Sequence, residues 1–193
     1  MQGPLVVKIG GSLQECVPDL VPELRGYCAL IVPGGGNFAD QVRAMRIGDQ
    51  DAAHWMAVLA MEQFGWYLST FGLPVTDRLE IPRVASVLLP YRPLRTYDPL
   101  PHSWDITSDT IAAWIAARLG VDLLLVKSVD GIRVGGVVRD HISAPVETDD
   151  VDPCLIPFAL SHGVKVYVVN GRRPGLLGGV MRRDFHPGTT ICI

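Results

Sequence analysis

The chain has 193 residues, with 17 lysines and arginines against 20 aspartates and glutamates, which gives a formal net charge of −3. Hydrophobic residues make up 48% and charged residues 19%, a balance that excludes an intrinsically disordered chain. The positive residues are scattered and outnumbered, so we expect no nucleic-acid partner. No apolar run reaches the roughly 18 residues of a membrane span, and we expect a single domain in the cytoplasm.

Six apolar runs predict strands, and the segments between them predict helices. The strands are expected at 5–9, 29–32, 84–89, 121–126, 164–169 and 189–193. Helices are expected after residue 12, from Phe38 with Asn37 as its N-terminal cap, and over 51–71, 108–119, 153–162 and 174–181. A Pro-rich loop follows the third strand, and the polar segment 133–150 predicts a hairpin or flap.

The strands read as continuous apolar runs, a pattern typical of a parallel sheet covered on both faces. With helices between them, they predict a three-layer α/β/α sandwich with a mostly parallel central sheet. Ligands bind such folds beyond the carboxyl ends of the strands. Here Gly turns follow residues 9, 33, 129 and 169, and these turns are the predicted walls of a site.

Two of these turns are candidate anion sites. Lys8 ends the first strand just before Gly10-Gly11-Ser12, where exposed backbone amides and the ammonium group can hold a phosphate. The spacing is not that of a Walker A loop, and a plain tight turn with a solvated lysine is the alternative. The segment 34–37, Gly-Gly-Gly-Asn, can form a second anion site, or its glycines can serve turn geometry alone.

Other polar residues carry weaker signals. Ser108 or Asp109 can cap the helix over 108–119, and the carboxylate can alternatively hold a lysine or a metal. His54 lies inside an apolar helix, where a buried structural histidine is the default interpretation. His102 and His141 lie in loops and carry no functional signal, and the four cysteines show no metal-ligating spacing, so no metal site is predicted.

Four motifs in this order, over nearly the whole chain, resemble the amino acid kinase family. They are Val-Lys-Ile-Gly-Gly-Ser (7–12), Val-Pro-Gly-Gly-Gly-Asn-Phe-Ala (32–39), Thr-Ser-Asp-Thr (107–110) and Lys-Ser-Val-Asp-Gly-Ile (127–132). The resemblance implies an ATP-dependent kinase that uses Mg²⁺, with an acceptor side over about 1–120 and a nucleotide side over about 121–193. Segments 102–109 and 168–174 are most similar to the branch that converts an (aminomethyl)furan-methyl phosphate to a diphosphate in methanofuran biosynthesis.

The resemblance also implies roles for individual residues. The expected catalytic residues are Lys8, His54 and Asp109, where His54 would contact the acceptor phosphate and Asp109 would order the lysine. The expected nucleotide-binding residues are Gly10, Gly11, Ser12, Lys127, Asp130, Gly131, Asn170, Gly171 and Arg172. The expected acceptor-binding residues are Gly34, Gly35, Gly36, Asn37, Trp104, Thr107 and Ser108. A homodimer or higher homo-oligomer is expected from the family.

The chain departs from the family pattern in one respect. Many members carry a second catalytic lysine after a Gly-Gly-Met segment, which is missing here, and Arg172, Arg173 or Lys127 could supply the charge. Three other functions stay open from the sequence: an isopentenyl phosphate kinase, an acetylglutamate-type kinase, and a non-catalytic nucleotide- or oxyanion-binding protein of the same fold.

Overall fold

A computed structural model describes residues 5–182 and 188–193, and its centre is an eight-stranded sheet. Its strands are β1 (Leu5–Ile9), β2 (Ala29–Pro33), β3 (Val75–Thr76), β4 (Ser86–Leu88), β5 (Asp122–Lys127), β8 (His141–Ile142), β9 (Val166–Asn170) and β10 (Thr189–Ile191). Their order across the sheet is β3-β4-β2-β1-β5-β9-β10-β8, and β10 against β9 is the antiparallel pair. A separate hairpin pairs β6 (Arg133–Val134) with β7 (Val137–Val138).

Helices cover both faces of the sheet. They are α1 (Val17–Leu24), α2 (Gly36–Ala44), α3 (Gln50–Ser69), α4 (Tyr91–Tyr97), α5 (Ser108–Leu119), α6 (Leu155–Ser161) and α7 (Leu176–Arg182). One buried cluster joins the sheet to α5 and α6, the other joins it to α1 and α7, and α3 contributes to both. None of these helices is both long and apolar enough to cross a membrane.

The predicted three-layer sandwich is confirmed, and every predicted strand coincides with an observed one. All residues of β1 and β2 are buried, because both strands lie inside the sheet and helices cover both of its faces. The structure adds elements that the sequence pattern does not reveal. A 3-10 helix (Gly11–Cys16) follows β1, α4 lies in the predicted Pro-rich loop, and β3 and β8 are two residues each.

Two predicted helix caps are wrong. Helix α2 begins at Gly36 with Gly35 as its cap, so Asn37 lies inside the first turn and caps nothing. Helix α5 is capped by Thr107, whose hydroxyl accepts from the Asp109 amide, so neither Ser108 nor Asp109 is the cap. Thr107 has the extended backbone that a cap residue requires, whereas both alternatives are already helical.

The first two Gly turns touch each other directly. Gly11 packs so closely on Gly36 that a Cβ atom built on Gly11 would lie 2.1 Å from the Gly36 Cα. Gly36 also has a φ of +52°, a conformation that favours glycine. Contact between the N-termini of the 3-10 helix and α2 therefore requires glycine on both sides.

We expect Gly11→Ala to lower the free energy of unfolding by about 1–3 kcal/mol, because the new methyl group forces the two backbones apart. Urea denaturation measures this difference. Gly48→Ala is the matched control, since a Cβ there meets no atom within 4 Å. Equal stability of the two variants would contradict the close contact.

Candidate active site

One buried carboxylate binds two lysines at the carboxyl edge of the sheet. Lys8 Nζ lies 2.6 Å from Asp109 Oδ1, and Lys127 Nζ lies 2.6 Å from Asp109 Oδ2. Lys8 belongs to β1, Lys127 ends β5, which pairs with β1, and Asp109 lies in the first turn of α5. The side chains of Lys8 and Asp109 are 6% and 4% exposed, so water screens this pair weakly.

The charges of this cluster do not cancel. Burial alone would raise the pKa of Asp109, but Lys8 and Lys127 outweigh it and lower that pKa to about 2. The pKa of Lys8 lies below its usual value because of burial and the nearby Lys127, against the attraction of Asp109. With both ammonium groups protonated, the cluster carries a net charge of +1 and suits a second anion, such as a phosphoryl group.

Helix N-termini supply amides beside this charge. The first amides of the 3-10 helix and of α2 have no partner within their helices, as at any helix start. The amides of Gly10 and Gly34 are not free, because they donate to the carbonyls of Val126 and Ile9. Within the two predicted phosphate loops, the available amides therefore belong to the helix starts at Gly11 and Gly36.

A pocket lies beside these loops. Five of the predicted residues line it: Gly35, His54, Trp104, Thr107 and Ser108. Gly34, Gly36 and Asn37 are outside the lining, and Asn37 is exposed. Most of the remaining wall is apolar and comes from Ala39, Ala53, Ala57, Val58, Met61, Ile106 and Ile111.

Sequence reasoning missed two features of the pocket. Arg43 places its guanidinium 4.6 Å from the centre of the Trp104 ring, a cation–π contact at the pocket wall. Arg43 is two turns past the Gly loop on α2, so its place in the pocket depends on the direction of that helix. His102 stacks on His54 with ring centres 4.0 Å apart, a contact between residues 48 positions apart in sequence.

The predicted nucleotide residues cluster at the ends of β5 and β9. Asn170 donates to Asp130 Oδ1 over 2.7 Å, and Arg173 also binds Asp130. The Arg172 amide donates to the side chain of Asn170, and Ser12 Oγ lies 3.4 Å from Ser128 Oγ, which connects this edge to the first loop. Gly131 and Gly171 are buried by close packing, Gly131 against Val138 and Thr189, and Gly171 against Val126 and Leu13.

Asp152 fixes the start of α5, and the sequence analysis overlooked it. This buried carboxylate accepts hydrogen bonds from the amides and hydroxyls of Thr107 and Thr110 and from the amide of Leu155. It thereby joins the first turn of α5, which carries Asp109, to the start of α6. Its place just before the predicted helix 153–162 was an N-cap signal that could have identified it.

The chain is 31% identical over 196 aligned positions, 88% of each chain, to a [5-(aminomethyl)furan-3-yl]methyl phosphate kinase of Methanocaldococcus jannaschii. Its fold matches a uridylate kinase of Archaeoglobus fulgidus with a TM-score of 0.70 and 16% identity, over 97% of this chain and 99% of that one. It matches a UMP kinase of Ureaplasma parvum with a TM-score of 0.73 and 17% identity, over the full length of both chains. The fold also matches an isopentenyl phosphate kinase, with a TM-score of 0.69, 16% identity, and coverage of 98% of this chain and 100% of that one. No protein-family model matches the chain.

We expect Asp152→Ala to lower the free energy of unfolding by about 2–5 kcal/mol, because it leaves buried amides and hydroxyls without an acceptor. Thermal or urea unfolding measures the loss. Asp149→Ala is the matched control, since Asp149 is exposed three residues away. If both variants unfolded alike, Asp152 would not hold the start of α5.

Proposed function

This chain belongs to the amino acid kinase family and is an ATP-dependent kinase, and we propose that it phosphorylates a small phosphate monoester to give a diphosphate. The proposed acceptor is [5-(aminomethyl)furan-3-yl]methyl phosphate, on the pathway to methanofuran. The observation that carries this proposal is the Lys8–Asp109–Lys127 cluster beside the pocket that holds His54.

The proposed transfer needs no general base. An acceptor phosphate oxygen is already ionised near neutral pH and attacks the γ-phosphorus of ATP in line. The new oxygen–phosphorus bond forms as the bond to the β-phosphate oxygen breaks, and ADP leaves. The chain contributes position and positive charge. We propose that Lys8 and Lys127 stabilise the negative charge that develops on the transferring phosphoryl group. Asp109 holds both ammonium groups in place.

The acceptor and the nucleotide approach from opposite sides of this cluster in our proposal. The pocket formed by Gly35, His54, Trp104, Thr107 and Ser108 takes the acceptor, on the side built mainly from residues 1–120. The ends of β5 and β9, with Asp130 and Asn170, take the nucleotide, on the side built from residues 121–193. The first amides of the 3-10 helix and α2 lie between them.

We propose that Mg²⁺ arrives as the ATP complex. Across residues 5–182 and 188–193, no group of three or more His, Cys, Asp or Glu side chains could hold a metal ion. Mg²⁺ commonly binds substrate phosphates and water in preference to an all-protein cage, which fits such an arrangement. The homodimer or higher homo-oligomer stays a prediction from the family resemblance, and the cytoplasmic location stays a prediction from the sequence.

An isopentenyl phosphate kinase is a second candidate, favoured by the apolar pocket wall at Val58, Met61, Ile106 and Ile111. Phosphorus NMR with Mg·ATP separates the two candidates. We expect a new pair of diphosphate doublets with the furan phosphate and none with isopentenyl phosphate, acetylglutamate or ATP alone. A diphosphate formed only from isopentenyl phosphate would move the assignment to the second candidate, and no product with any acceptor would overturn the proposed function.

We expect Lys127→Met to lower kcat by roughly 10²–10³, as loss of one preorganised charge at a transition state does. Lys8→Met should lose at least as much. Lys165→Met is the matched control, because Lys165 precedes β9 at the opposite edge of the sheet, and we expect it to stay within about twofold of the wild type. Equal rates for Lys127→Met and Lys165→Met would exclude Lys127 from the transfer.

A further inference from the structure

His102 lies against His54, outside the pocket lining. The two imidazole rings are stacked with centres 4.0 Å apart and planes 14° apart. The Trp55 ring meets both of them edge-on, at 4.7 Å from His54 and 5.2 Å from His102. The His102 ring on one face of His54 and the Trp55 ring packed edge-on against it therefore restrict the orientation of the His54 side chain.

Both ring nitrogens of His102 contact carboxylates. Nδ1 lies 2.6 Å from Asp51 Oδ1, and Nε2 lies 2.9 Å from Asp98 Oδ1. An ionised carboxylate only accepts hydrogen bonds, whereas a neutral imidazole has one nitrogen that donates and one that accepts. Two carboxylate partners therefore require a hydrogen on each nitrogen, and His102 is an imidazolium.

The two carboxylates come from separate elements and hold the ring from both sides. Asp51 lies in the first turn of α3, the helix that carries His54, and Asp98 ends α4. Asp98 has a φ of +39°, and its amide donates to Leu94, so its position is set by the end of that helix. The side chain of His102 is 15% exposed as a result.

Resting on the proposed function, we propose that His102 is a positioning residue that keeps His54 neutral and oriented, so that His54 gives the acceptor phosphate a hydrogen bond without adding a charge. A second cation stacked 4.0 Å from an imidazolium is strongly disfavoured in a partly buried site. A neutral His54 leaves the attacking phosphate oxygen its full negative charge, and no proton moves in the transfer.

The charges around the pair agree with this assignment. Burial, followed by the charge of His102, lowers the pKa of His54 to about 4 despite Asp51 and Asp98. Partial burial would lower the pKa of His102, but its two carboxylate partners outweigh burial and raise that pKa above its usual value. Arg95 lies 4.5 Å from the centre of the Trp55 ring, and Arg43 lines the same pocket as His54.

The test is a nitrogen-15 NMR titration of His54 in the full chain, which needs neither substrate nor activity. In His102→Gln we expect His54 to titrate at a clearly higher pH than in the wild type, because the stacked positive charge is gone. His162→Gln is the matched control, since His162 stacks on Phe158 at the end of α6, and it should leave the titration of His54 unchanged. An unchanged titration of His54 in His102→Gln would overturn the proposal.

Kinetics give the second readout. We expect His102→Gln to raise KM for the acceptor roughly tenfold, which is the loss of affinity expected when one hydrogen bond to the acceptor is misaligned. KM for ATP should stay within about twofold of the wild type. An equal rise in both KM values, with loss of thermal stability, would show a structural role only and overturn the proposal. A wild-type protein that phosphorylates no acceptor would instead overturn the proposed function, while the titration would still test the histidine pair.

If His102→Gln does not fold, Asp98→Asn provides a second test. It removes a carboxylate that binds His102 and also attracts a proton to His54, so both histidines should titrate at a lower pH than in the wild type. No change in either histidine would contradict the proposal.

Discussion

The site depends on one buried carboxylate that binds two ammonium groups. Asp109 lies between Lys8 on β1 and Lys127 on β5, and these two strands are paired in parallel. Lys8 pairs with Leu125 on β5, and Lys127 lies two residues further along that strand. Because side chains alternate between the two faces of a sheet, Lys8 and Lys127 point to the same face. Burial makes removal of any one of the three charges costly, because the others lose their partner. With both lysines protonated, the remaining positive charge favours an anion beside the cluster.

A second buried carboxylate makes this arrangement rigid. Asp109 can meet both lysines only if the first turn of α5 is fixed in place. Asp152 fixes it through Thr107 and Thr110, and also binds the start of α6 at Leu155. The dipole of α5 further favours negative charge in its first turn, where Asp109 lies. One carboxylate therefore binds the cations and the other holds the helix that presents it.

The fold could be predicted from the sequence because local patterns determine it. Continuous apolar runs ending in Gly turns predict buried parallel strands, and the structure confirms them. The edge at which ligands bind stays a prediction. The predicted cap at Ser108 or Asp109 was wrong because Thr107 has the extended backbone that a cap requires. The predicted cap at Asn37 was wrong because α2 already begins at Gly36. The contacts of Lys127 with Asp109 and of His102 with His54 join residues 18 and 48 positions apart on different elements. Neither pairing has a local signal, so only the folded chain shows it.

The position of Lys127 bears on how this chain compensates for the lysine that many family members carry in the C-terminal half. Here the corresponding half contains α7, whose first turn is held by Glu23 of α1. The Glu23 carboxylate accepts from the amides of Gly175 and Gly178. That contact ties α7 to α1, and Gly178 and Gly179 are buried. A lysine at the end of β5 is fixed instead by the pairing of β5 with β1 and β9 on either side. In our proposal the second cation therefore needs no loop or helix to deliver it, because the same sheet that places Lys8 also places Lys127.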